Sequence, residues 1–301
     1  MATILITGGS GLIGTALTQA LIASGHTVRH IGRSARRSED VKGFVWDLDR
    51  GTMDAAALHG VDHIVHLAGA GIADERWTSA RVQELIHSRT ASARLLLTCA
   101  RTNGISVKSF VSAAGINYYG AATTEHVYTE DDMPGTDTIA RISKEWEAAV
   151  DEWTPHTRVV KLRTPIVLSP TGGALAKLVA PVRWGLGTAL GSGEQWMPWV
   201  HIDDLVRIYE LALADDRFVG AYNVNTGNDV TNQEFMRTAA QVLDKPYFLP
   251  HVPAFMLRAV LGDLASILLG GSRASSQRLS AKMGYRFKHP LLTNALTGLL
   301  P

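Results

Sequence analysis

At 301 residues, 46% hydrophobic and 19% charged, the chain is long enough for one large globular domain or two interleaved ones. A formal charge of +1 gives no basic field that would call for nucleic acid or an anionic membrane as partner. The one cysteine, Cys99, excludes an internal disulfide and reads as a buried thiol; with no leader-like start and no apolar run of ~18 residues, a cytoplasmic location is the simplest expectation.

The stretch from Thr3 to Gly14 reads as strand, turn and helix start. Ile4, Leu5 and Ile6 are an apolar run of strand length. Gly8, Gly11 and Gly14 follow at a spacing of three, and Leu12, Ile13, Ala16, Leu17, Ala20 and Leu21 recur at helical spacing. Such a turn brings helix-terminal N–H groups and the positive end of the helix dipole up to a pyrophosphate. Gly8 permits the tight turn, Gly11 lets phosphates approach the backbone, and Gly14 lets helix and strand pack closely.

A second strand is predicted over 27–31. An acidic residue at its end would hold the ribose 2′-hydroxyl of NAD. Gly32-Arg33-Ser34 stands there instead, followed by Arg36 and Arg37. Arg33 offers a fork of donors suited to a 2′-phosphate. Such a contact is worth roughly ten- to a hundred-fold in affinity and favours NADP; the alternative is a solvated basic loop.

The third strand, over 44–48, places Asp47 and Leu48 beside the adenine, unless Asp47 only turns the chain into Asp49-Arg50-Gly51. The fourth, over 61–67, runs into small residues that let a ligand lie on the backbone. Leu67, Ala68 and Gly69 are the expected floor under the ribose and pyrophosphate, and His66 is expected to pack within the sheet. On a long helix over 79–103, Glu84 and Arg89 stand on or beside the apolar face, where charges are paired or bound to something. A fifth strand over 107–112 leads into a loop holding Tyr118 and Tyr119. A helix over 138–153 and a sixth strand over 158–162 follow.

This alternation predicts a parallel, doubly wound sheet with ligands at the carboxyl ends of its strands. From Ser169 the texture changes to a stretch rich in glycine and tryptophan. A short strand over 221–225 is expected to return to the sheet, and helices are predicted over 232–243, 253–269, 275–283 and 291–300. Trp77, Trp196, Trp199 and His201 either line the substrate side or form structural core. The expected division is a cofactor domain over 1–168, completed by 200–225, and a smaller mixed substrate lobe over 169–199 and 226–301.

The glycine pattern and strand order resemble the extended short-chain dehydrogenase/reductase superfamily. Four blocks narrow the likeness: Leu67-Ala68-Gly69 with Arg76-Trp77, Ser88-Arg89, Tyr118-Tyr119-Gly120, and the run from Gly185-Leu186-Gly187 to His201-Ile202-Asp203-Asp204. Together they are similar to the NADP-dependent "epimerase family" group, also labelled nucleoside-diphosphate-sugar epimerase or cell-division-inhibitor-like. The resemblance implies a Rossmann-type α/β fold that binds NADP(H). It assigns the cofactor to Gly8, Gly11, Leu12, Ile13 and Gly14, to Gly32 and Arg33, to Leu67 and Ala68, to Glu84 and Arg89, and to the backbone near Pro165 and Ile166 beside the nicotinamide. Pro165 and Asn117 stand where the group has glycine. Proline carries no N–H, so a contact there falls to a carbonyl or to Ile166.

The wider superfamily uses a Tyr and a Lys four residues apart on one helix face, and a Ser after the fifth strand. In the helix over 138–153, Lys144 has Ala140 four residues before it. Alignment on Trp146-Glu147 instead puts Ser143 and Ile139 at the two positions. Neither register gives the pair. With Ser112 aligned to the first residue of the usual serine run, Ala114 takes the reactive place. Ser112, Tyr118 and Tyr119 are the substitutes on the loop expected to face the nicotinamide. A phenol near a cationic cofactor ring would have its pKa lowered; otherwise the tyrosines pack the wall. Two functions follow. One is an NADP(H)-dependent oxidoreductase or epimerase acting on a small carbonyl, alcohol or sugar nucleotide. The other is an NADP(H)-binding regulatory protein with little or no chemistry. No metal is expected, and a homodimer is an open option.

Overall fold

The computed structural model describes residues 1–35 and 40–300; Arg36 and Arg37 lie outside the described residues. Strand β1 (Thr3–Thr7) leads through the glycine turn into α1 (Leu12–Ala23), followed by β2 (Thr27–Gly32), β3 (Val41–Asp47), the two-residue β4 (Thr52–Met53) and β5 (His63–His66). The long helix α2 (Ser79–Thr102) crosses to β6 (Ser109–Gly115), then come β7 (Val127–Tyr128), α3 (Thr138–Asp151) and β8 (Arg158–Thr164). Pro165 ends β8, and β9 (Ile166–Leu168) turns away from the main sheet to pair with β10 (Trp199–His201). Between them lies α4 (Gly173–Arg183). Helix α5 (Ile202–Ala214) leads to β11 (Gly220–Asn223).

These strands form an eight-stranded sheet in the order β11-β8-β6-β5-β1-β2-β3-β4. All neighbours are parallel except β3 and β4. Parallel sheets carry helices on both faces; the central β1 reads as a continuous apolar run, while β2, β3 and β8 also include charged residues at positions that are not fully buried. Ile4 and Ile6 of β1 pack with α1 and α5, while Leu5 between them packs on the α2 and α3 side.

The rest of the chain builds a smaller lobe from α6 (Asn232–Val242), α7 (Ala254–Leu261), α8 (Ser266–Leu269), β12 (Arg273–Ala274), α9 (Gln277–Met283) and α10 (Leu292–Leu299). The single helix expected over 253–269 is interrupted: Gly262, with φ +60°, ends α7 and starts a short 3-10 turn. Helices α4, α6 and α10 share a core with Leu168 and Trp199. Cys99 on α2 is half-buried, less enclosed than its sequence context suggests. Among the described residues, no helix is long and apolar enough to cross a membrane.

His66 lies fully inside the sheet, between the hydroxyls of Ser92 (2.8 Å) and Ser112 (3.2 Å). Burial, assisted by Arg89, pushes its pKa down to about 3. His30, His63 and His201 are shifted downward as well, each chiefly by burial. A depressed histidine destabilises the fold as pH falls below 6.5, because the unfolded chain takes up the proton first. Stability is therefore complete above about pH 6.5 and is expected to fall by about 2 kcal/mol from His66 alone by about pH 5. Urea titrations across that range test this, and His66→Gln should flatten the slope.

Candidate cofactor and active site

The first turn of α1 has no side-chain cap and no acidic residue. Its N–H groups and positive dipole end are therefore left for a ligand. Gly8 sits at φ +67°, and a Cβ there would lie 2.9 Å from the Leu67 carbonyl oxygen. A Cβ on Gly14 would lie 2.4 Å from the Gly8 carbonyl oxygen. Gly8, Gly14, Leu67 and Ala68 are thus one close-packed backbone surface. Thr7 Oγ1 secures it by accepting from both Leu67 N (3.0 Å) and Ala68 N (2.9 Å). Leu12 on the turn reaches across to the start of α4, where a Cβ on Gly173 would meet it at 2.8 Å.

Arg89 lies beneath this floor, 7% exposed, with its guanidinium 2.8 Å from where a Gly69 Cβ would be. It donates to the carbonyls of Leu85 (2.9 Å) and Ala70 (3.0 Å), and its buried Nε has no partner. Burial and the nearby Arg81 lower its pKa to about 10. No carboxylate pairs with it among the described residues. A buried cation in this state fits an anionic ligand above Gly69.

Other predicted cofactor residues are placed as follows. Gly32 ends β2 and Arg33 follows it, exposed. Ile13 is half-buried against the core on the α5 side. Leu48 packs beside Trp46 on the opposite side of the sheet. Asp47 accepts from the backbone of Asp49 and Arg50 at 3.0 Å each, the turn role that was the alternative to an adenine contact. Glu84 accepts from Arg81 at 2.7 Å. Ile166 N donates to the Pro198 carbonyl (3.1 Å), so the backbone at 165–166 offers a ligand carbonyls and no free N–H.

The expected substitutes for the missing Tyr–Lys pair separate sharply. Ser112 is enclosed in β6, with its hydroxyl donating to the Ala113 carbonyl at 2.7 Å. It does not face the loop. Tyr119 is 1% exposed, and its hydroxyl spans Thr129 O and Asn223 Oδ1 at 2.8 Å each while accepting from Arg163 at 2.8 Å. Burial pushes its pKa up to about 12, the reverse of the lowered phenol expected. Tyr118 is half-buried, its ring stacked on the Arg163 guanidinium with 3.6 Å from Cζ to the ring centroid. On α3, Ser143 points inward and Lys144 outward, so no lysine faces the site from that helix. We expect Tyr119→Phe to cost about 1–3 kcal/mol in chemical denaturation, because it strands buried partners, with no selective effect on turnover.

The proposed substrate-side aromatics also divide. Trp199 is fully buried and Trp77 nearly so, with its indole donating to Ile72 O at 2.8 Å. Both are core. His201 caps α5 by accepting from Asp203 N at 3.1 Å, and stacks on His289 with centroids 3.8 Å apart. Asp204 next to it is fully buried and accepts from Tyr285, Lys288 and His289. His201 thus fastens the segment around 285–289 to α5. Only Trp196 remains half-exposed, with Arg273 stacked on it at 4.6 Å.

Sequence reasoning missed the network behind the tyrosines. Arg163 is 3% exposed and is held by Glu147 through two bonds of 2.7 and 3.0 Å; Lys161 adds a contact of 3.3 Å to the same carboxylate. The signal was available: an arginine beside Leu162 in a buried strand and a glutamate beside Trp146 on an apolar helix face each call for a partner.

A parallel sheet of this order, with an uncapped glycine turn and a small-residue floor at its carboxyl edge, defines a Rossmann-type dinucleotide-binding protein. The chain belongs to the NAD dependent epimerase/dehydratase family, whose model matches residues 4–225. Residues 252–299 match a domain of unknown function, DUF1731. The chain is 36% identical over 298 residues to Epimerase family protein Mb2239 of Mycobacterium bovis, covering 98% of this chain and 96% of that one. A crystal structure of human epimerase family protein SDR39U1 with NADPH superposes with a TM-score of 0.88 at 33% identity, covering 99% of this chain and 98% of the human one. A UDP-glucuronic acid 4-epimerase from Bacillus cereus, solved with UDP-glucuronic acid and NAD, shares the fold at 19% identity and a TM-score of 0.80, over 98% of this chain and 96% of that one.

Proposed function

We propose that the protein is an NADP(H)-dependent oxidoreductase acting on a small carbonyl or alcohol. The observation that carries the cofactor reading is the buried Arg89 beneath Gly69, unpaired with any carboxylate among the described residues, beside the uncapped start of α1. The human relative solved with NADPH supports the same cofactor. Arg33 is the group for the 2′-phosphate, and α1 with Arg89 is the cradle for the pyrophosphate. When bound, the nicotinamide supplies hydride chemistry, and the chain supplies position and a proton. Tyr118 is the remaining phenol for that proton, with its ring fixed by Arg163.

Fluorescence titration tests the cofactor assignment. Arg33→Ala should weaken NADPH about 10- to 100-fold and leave NADH unchanged; equal losses for both would remove Arg33 from the 2′-phosphate site. NADPH oxidation against a carbonyl panel, with Tyr118→Phe as control, tests the chemistry. The outward-facing Lys144 supports a second reading, an NADP(H)-binding regulatory protein without turnover. It predicts NADPH binding with no oxidation on any substrate.

A further inference from the structure

The segment from Gly270 to Arg278 packs beyond the carboxyl ends of β6 and β11, against Gly120, Ala121, Asn223 and Asn225. Its path is fixed by close backbone approach. A Cβ on Gly270 would lie 1.8 Å from the Ala121 carbonyl oxygen, and one on Gly271 would lie 1.9 Å from that of Trp196. Ser272 donates to Gly120 O at 2.9 Å, and Asn225 and Asn223 donate to the carbonyls of Ala274 (2.7 Å) and Ser275 (3.0 Å).

This strap carries two arginines, and both are spent. Arg273 gives Nε and Nη2 to Asp229 at 3.0 and 2.9 Å, lies 3.6 Å from Glu125, and has one face covered by Trp196. Arg278 pairs with Asp131 and with the buried Glu130, at 3.5 Å from the latter. Two guanidinium groups, with Lys282 near Asp131, therefore face four carboxylates, a set that stays net negative. Arg163 and Lys161 behind it are committed to Glu147 and Asp151. Arg76, exposed in the loop after β5, follows directly on Asp74 and Glu75. The cofactor floor is the opposite case, with an uncapped helix start and a buried arginine that pairs with no carboxylate among the described residues.

From this asymmetry we infer that the described residues hold one phosphate-binding site, the cofactor's, and that the substrate is a carbonyl or alcohol without phosphate, not a nucleoside-diphosphate sugar. A diphosphate placed against the strap would meet four carboxylates at short range, and it could recruit Arg273 only by breaking both the Asp229 pair and the Trp196 stack. This second site rests on the oxidoreductase reading.

Calorimetric titration of the full chain separates the two. NADPH is titrated first, and its binding tests the cofactor reading alone. With NADPH saturating, UDP, UDP-glucose and UDP-glucuronic acid are then added. The expected result is no binding tighter than about 1 mM. Saturable binding of any of them at 100-fold lower concentration overturns the inference, whether or not Arg273→Ala removes it. In a parallel arm, neutral aldehydes and ketones are compared with phosphorylated counterparts in NADPH oxidation. A preference of more than about tenfold for the neutral compounds is expected, and the reverse preference overturns the inference. If nothing turns over, the UDP titration still decides.

Discussion

Gly14→Ala is expected to lower NADPH affinity by at least about 100-fold and to cost about 1–3 kcal/mol of stability. The added Cβ would stand 2.4 Å from Gly8 O, 2.7 Å from Gly9 Cα and 2.8 Å from Gly9 C. All three are backbone atoms of the turn, so no side chain can swing aside. The turn must move, and the N–H groups proposed to hold the pyrophosphate move with it. Gly11→Ala separates the two effects, because its Cβ would meet only Gly8 O, at 3.3 Å. That variant should melt close to wild type and still bind NADPH poorly, since the space it fills belongs to the ligand. Melting curves and NADPH titration of both variants are the measurement. A Gly11→Ala protein that binds NADPH like wild type would place the phosphates away from this turn.

The second large effect is expected at Glu147. Its removal leaves Arg163 buried with a charge and no carboxylate, and deprives Lys161 of one of two partners. Loss of one member of a buried pair costs about 3–5 kcal/mol, and urea denaturation of Glu147→Ala should show a loss of that size. Glu147→Gln keeps the shape and one acceptor, and should lose less. The pair's net worth is a different quantity, because both charges are desolvated in the folded state. A Glu147→Leu, Arg163→Met double variant should therefore recover much of the loss. If the double variant is as unstable as the sum of its singles, the pair is not coupled and the Tyr118 and Tyr119 contacts dominate.

The sheet was legible because its signal is redundant. Strand-length segments at 4–6, 27–31, 61–67 and 158–162 alternate with helices, and glycine, arginine and small residues recur where those strands end. A one-residue error in any of them leaves the strand order intact. The active-site side was less legible for a physical reason. Tyr118 and Tyr119 are neighbours in sequence with identical chemistry, yet one lies half-buried on Arg163 and the other is sealed by Asn223, Thr129 and Arg163. Residues 104 and 44 positions away make that difference, and local pattern holds no record of them. His201 shows the same limit, since its stacking partner His289 belongs to a distant segment. Ser112 failed differently: β6 continues to Gly115, so the serine lies inside the strand and not at its exit.

Strands β12 and β7 pair over two residues only, one of the shortest ladders in the molecule. Ladders of that length open at a small fraction of the global unfolding free energy. The floor under the cofactor is different, built from a β1 strand bonded on both sides and a helix start locked by backbone contact. Hydrogen exchange at Val127–Tyr128 and Arg273–Ala274 should accordingly run ahead of that at Ile4–Ile6.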